Sequence, residues 1–147
     1  MRSGSEFNQR RTPVPRAAIG WLLGAALTAL SLRAAASDVY VVCNAGVSLQ
    51  ASDIRDVFVG EKSFAGTARL APADNSSAQA AFLEKVMKLD ARKYATLWTK
   101  KSFRDGANPP PLRATDAEAI AYVRATPGGC SYVLRAPAEG VTVVAKF

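Results

Sequence analysis

The sequence predicts a single α/β domain built on a largely parallel sheet with helices on both faces. Three observations point there. Short β-branched runs (VYVVCN at 39–44, ARLA at 68–71, CSYVL at 130–134 and VTVVA at 141–145) alternate with stretches of helical periodicity. Of 147 residues the first 36 read as a leader, and the 111 that follow have room for one modest core. Strands separated by helices imply right-handed crossovers, and ligands on such sheets gather at the strand carboxyl ends.

The leader comes first. Residues 1–7, MRSGSEF, read as much like an expression-vector scar as a native start and carry no information about the fold. Arg10, Arg11 and Arg16 then precede an apolar run at 17–32, and Ala34, Ala35 and Ala36 supply small residues for cleavage. That order is a secretory signal peptide over 8–36, which places a domain of residues 37–147 in the periplasm. An uncleaved membrane anchor is the rival reading, because the apolar run is only a little shorter than the ~20 residues that span a bilayer. Its Ala and Gly content favours cleavage.

Formal charge is +7 over the whole chain, but the 14 basic and 11 acidic side chains after residue 36 leave only +3. Without a basic stripe or motif this speaks against nucleic-acid binding and remains compatible with a small anion. Cys43 and Cys130, alone in an exported domain, are expected to pair, which requires adjacent strands; two free thiols are the alternative. The absence of histidine removes the commonest general base and metal ligand, so neither an enzyme, a metal site nor a cofactor is expected.

Residues 39–44 are almost uninterruptedly apolar, as for a strand covered on both faces. Ser48 or Ser52 caps a short helix carrying Ile54, Val57 and Phe58, which Gly60 ends. After a loop and the strand at 68–71, the helical pattern resumes at Ser77, with Ala78, Phe82 and Val86 on one stripe. A second helix starts near Asp90 with Tyr94, Leu97 and Trp98 at helical spacing and Lys100, Lys101 and Arg104 at its end. Residues 105–113, DGANPPPLR, form a stiffened loop. Thr115 and Glu118 then have capping-box spacing for a helix with Ala117, Ile120, Ala121 and Tyr122 or Val123 inward.

Residues 72–82, PADNSSAQAAF, carry the candidate site. Helix starts leave N–H groups unpaired and partly positive, so Asp74, Asn75, Ser76 and Ser77 stand where oxyanions are held; an ordinary helix cap uses the same residues. In a parallel sheet the loop after Asn44 would lie beside them, which makes Asn44 the fourth candidate.

Three segments carry a family resemblance: DIRDVFVGEKSF at 53–64, PADNSSAQAAF at 72–82 and DAEAIAYVRATPGGCSYV at 116–133. Phe58 and Gly60 in the first, and Tyr122, Val123, Pro127, Gly128, Tyr132 and Val133 in the last, fit the pattern most closely. Together they resemble one lobe of the phosphate-type substrate-binding proteins of bacterial ABC transporters, with their type II periplasmic binding protein-like fold. The resemblance implies an exported module binding phosphate or a similar oxyanion for an ABC transporter. The middle segment departs from the pattern: Pro72 stands where the family has an arginine, and Ser77 and Ala78 replace a glycine and a threonine. Such losses remove contacts worth ~1.5–3 and ~0.5–1.5 kcal/mol. A homodimer would rebuild a two-sided cleft. The alternative is a non-catalytic interaction or accessory protein of the envelope that has lost anion binding and uses the open shelf or the 105–113 loop for a partner.

Overall fold

The structure, a computed structural model, describes residues 37–137 and 139–147; the expected leader, scar and cleavage point lie outside them. In chain order the elements begin with β1 (Tyr40–Cys43), a 3-10 turn (Ala51–Asp53) running into α1 (Ile54–Phe58), and the small hairpin of β2 (Phe64–Ala65) and β3 (Ala68–Arg69). Next come β4 (Ala71–Pro72), β5 (Asp74–Asn75) and α2 (Gln79–Phe82), which continues into a π turn (Leu83–Met87). The long helix α3 (Ala91–Asp105), β6 (Leu112–Arg113), α4 (Asp116–Ala125), β7 (Gly129–Val133) and β8 (Thr142–Lys146) complete the domain.

The main sheet has the order β4-β7-β1-β8. Its outer pair β4 and β7 is parallel, but β1 runs antiparallel to both β7 and β8, so the expected largely parallel sheet is corrected to a mixed one. The physical reason is non-local. β8 does not join the sheet through a crossover but zips onto β1, with Val39 and Phe147 exchanging both backbone hydrogen bonds at 2.9 Å. Strand alternation with helices carries no information about such a closing pair.

Helices do cover both faces. Val39 just before β1 and Val41 and Cys43 within it point into the larger core, with Ile54, Val57 and Phe58 of α1, Phe82 and Met87 of the second helical segment, and Tyr94 and Trp98 of α3. Val42 points the opposite way, against Ala119 and Val123 of α4 and Val133 of β7. This is the period-2 alternation of a strand buried on each side. At the centre of the larger core Phe82 stacks on Tyr132 with ring centroids 3.8 Å apart, and Phe58 meets Phe82 edge-on at 4.8 Å. Each such ring contributes ~1.5–3 kcal/mol by leaving water.

Cys43 and Cys130 are direct partners across β1 and β7 and form the expected disulfide, with no free cysteine among the described residues. Caps follow the sequence unevenly. Asp90 caps α3 by accepting from the Lys93 N–H at 2.8 Å, and Thr115 caps α4 by accepting from Glu118 N–H at 3.2 Å. The Glu118 carboxylate reaches back to Ala114 N–H, one residue before the expected partner. On α4, Ala119 and Val123 are buried while Ala117 and Ala121 face out, so the inward face is rotated from the expected one. Neither Ser48 nor Ser52 caps the helix that follows; Gln50 precedes the 3-10 turn without a side-chain bond. No helix of the described residues is long and apolar enough to cross a membrane.

Candidate functional site

Residues 72–78 pass from β4 through β5 into the turn before α2. β5 pairs in parallel with β6, and Asp74 N–H donates to Pro111 O at 2.9 Å while Ser76 N–H donates to Arg113 O at 2.8 Å. The stretch is therefore held between β6 on one side and β7 on the other.

Asn75 is fully buried. Its amide donates to Asp116 Oδ1 at 2.7 Å and to the Tyr132 carbonyl at 2.9 Å, while its Oδ1 accepts from the Ser77 N–H at 3.2 Å. The Ser77 hydroxyl lies 2.8 Å from Asn75 Oδ1 and 3.1 Å from Asp116 Oδ1, and its one proton serves either acceptor. Asp116 Oδ2 in turn accepts from Leu134 N–H at 3.0 Å. Asn75 thus ties the turn to the first residue of α4 and to β7.

The N–H groups expected to face an anion are engaged. Those of Ser76, Ser77 and Ala78 donate to Arg113 O, Asn75 Oδ1 and Asn75 O. The α-helix starts at Gln79, two residues later than the pattern predicts, and its cap is Ala78, which has no side-chain acceptor. Ser76 and Ser77 are solvent-exposed.

Asn44 is at the other end of the sheet. Its amide donates to Val123 O at 3.0 Å and Arg124 O at 3.3 Å, capping the last carbonyls of α4, and its Oδ1 accepts from Gly46 N–H at 3.3 Å. Asn44 N–H donates to Gly129 O, whereas Asn75 contacts Tyr132, three residues along β7 and so roughly 10 Å away on that strand. The expected neighbourhood of the two loops is corrected: antiparallel pairing of β1 with β7 sends their ends in opposite directions. Structure unites Asn75 with Ser77 and separates both from Asn44.

Beneath the turn sits Asp74, which the sequence pattern places with the helix-start residues and the structure places in the core. Asp74 is buried, and its carboxylate accepts from Tyr94 OH at 3.1 Å and Tyr132 OH at 3.1 Å. Burial pushes this carboxyl up to about 6, against which the hydroxyl donors of Tyr132 and Tyr94 work. Both tyrosines are driven well above the ordinary phenol range, by burial first and the Asp74 charge second. Two inward tyrosines were a usable signal, since a buried phenol normally finds a partner. The Asn75 to Asp116 bond spans 41 positions and left no local trace.

Chemically, the arrangement offers a serine hydroxyl beside the Asp116 carboxylate, whose oxygens already accept from the Asn75 amide and the Leu134 N–H. Lys85, on the π turn, directs its ammonium to Ser37 O at 2.6 Å. Among the described residues no group of three acidic or cysteine side chains could hold a metal ion. Compared with models of known protein families and with curated proteins, the chain matches none.

Proposed function

We propose that this chain is a non-catalytic, exported docking module of the cell envelope, a single lobe that retains the frame of a solute-binding protein and presents it to a protein partner. The observation that carries the reading is the Asn75 to Asp116 bond of 2.7 Å. It turns the amide of the expected ligand residue inward and sets a carboxylate 3.1 Å from Ser77 Oγ, where an incoming oxyanion would meet a like charge. The neighbouring N–H groups already have acceptors, so an anion there would have to break existing hydrogen bonds. The disulfide suits an oxidising compartment, and the leader motif of residues 8–36 suits export.

Titration calorimetry of the full chain with phosphate, sulfate and molybdate tests the loss of anion binding. No heat at millimolar anion is expected, together with one discrete cross-linked species when the chain is cross-linked in its native envelope. Saturable micromolar binding of any of the three anions would overturn the docking reading in favour of a carrier for an ABC transporter.

A further inference from the structure

A groove of about 580 Å³ runs along the free edge of β4, between that strand and the 106–111 segment. It lies within the size range of ligand sites, ~300–1,000 Å³. Trp98 of α3 lines it, lying against the end of α1 because Gly60 has no side chain: a Cβ there would come within 2.8 Å of the indole. Tyr122 of α4 also lines it, with the Arg113 guanidinium stacked 4.7 Å from its ring centroid.

The lining contains Lys62, Arg69 and Lys101 and no carboxylate. Lys62 is paired to Asp53 at 2.9 Å and Lys101 to Glu61 at 2.6 Å, both partners lying outside the lining. Arg69 is exposed and has no ion-pair partner among the described residues. Two buried side-chain nitrogens have no hydrogen-bond partner among the described residues: Trp98 Nε1, whose residue lines the groove, and Arg113 Nε, whose residue lies outside the lining. Of the three cations in the lining, Arg69 is the one whose charge no ion pair among the described residues offsets.

The backbone walls have the opposite character. Pro72, Pro109, Pro110 and Pro111 line the groove and have no N–H to offer. Pro72 also denies the β4 edge a donor, so an occupant cannot simply extend the sheet at this point. A simple oxyanion, which only accepts, would use the cations and leave the proline and aromatic walls unmatched. A peptide brings carboxylates for the cations and a ring for Trp98 and Tyr122.

We propose that this groove docks an extended, acidic, aromatic-containing segment of a protein partner, held by Arg69 and Lys62 at the rim and by Trp98 and Tyr122 within. The assignment deepens the docking reading above and rests on it. Its probe is the fluorescein-labelled pentapeptide Glu-Glu-Phe-Glu-Glu, with Lys-Lys-Phe-Lys-Lys as the charge-reversed control and benzoate as the small-anion control. In the full chain carrying Trp21→Phe, Trp98 is the sole tryptophan and reports occupancy by its emission.

The acidic peptide is expected to bind saturably, to shift the Trp98 emission and to weaken as salt rises; the lysine peptide and benzoate are expected neither to bind saturably nor to shift the emission. Arg69→Glu, on an exposed side chain, is expected to cut affinity about tenfold or more while leaving the thermal midpoint in place, and to improve binding of the lysine peptide. Binding that ignores Arg69→Glu and Lys62→Gln, or equal binding of both peptides, would overturn the assignment. So would benzoate competing as strongly as the peptide, which would make the groove a small-anion site. Absence of peptide binding alongside an intact envelope cross-link would reject this groove alone, whereas binding of phosphate, sulfate or molybdate would reject the docking reading itself.

Discussion

The hydroxyl of Tyr132 lies 3.1 Å from Asp74 Oδ1 inside the core, joining residues 58 positions apart. Tyr94, from α3, donates to the same carboxylate, and its hydroxyl also lies 3.2 Å from Phe58 O. No cation accompanies the carboxylate in its hydrogen-bond shell, so two neutral donors are what stabilise its charged form.

Asp74 makes the fold more stable in mild acid. In the native protein its carboxyl is raised to about 6 from 3.8, so below ~pH 4 its contribution to stability is fully present, and it is lost as pH rises through ~6, a difference of ~3 kcal/mol. The chain has no histidine, and Asp38, Asp53, Glu61 and Asp105 are held below the usual carboxylate range by their lysine or arginine partners. Urea denaturation at about pH 4.5, 5.5 and 7 should show the wild-type chain losing stability relative to Asp74→Asn as pH rises. A difference that is flat, or runs the other way, would refute it.

Asn75→Ala should cost ~2–4 kcal/mol, because it strands the Tyr132 carbonyl and the Asp116 carboxylate and opens a buried space. Ser76→Ala, on an exposed side chain for which no hydrogen bond is seen among the described residues, should stay within ~0.5 kcal/mol. Denaturation midpoints of the two variants check this directly. Similar losses from both would mean that the turn is held by something other than the Asn75 network.

Replacing both Cys43 and Cys130 by Ala should lower stability by ~2–5 kcal/mol, since the bond closes a loop with a sequence separation of 87. Both cysteines are fully buried, so thiol labelling of the native protein under reductant should proceed only as fast as the protein opens. Rapid labelling without loss of native signal would contradict that burial.

Much of the local structure was legible. The β1 run VYVVC, the Gly60 stop after α1, the Asp90 and Thr115 caps and the inward Phe58, Phe82 and Trp98 all follow from periodicity and capping chemistry, which act over a few residues. The candidate site was legible only as a polar turn before a helix. Its Ser76 and Ser77 do not cap α2, because Asn75 has partners in α4 and β7 that draw the turn inward.

By itself the sequence determined the longer strands and helices, most of their buried faces with that of α4 excepted, and an expected pairing of its two cysteines, since these follow from hydrophobic period, cap residues or elimination. Only the tertiary structure decided that β1 is antiparallel to β7 and β8, that Asn44 and Asn75 sit at opposite ends of the sheet, and that Asp74 is buried between two tyrosines. It also decided that Asn75, within residues 72–82, ties the turn to Asp116. Strand direction and buried polar partners are settled by contacts between distant parts of the chain, whose free energy no local pattern encodes.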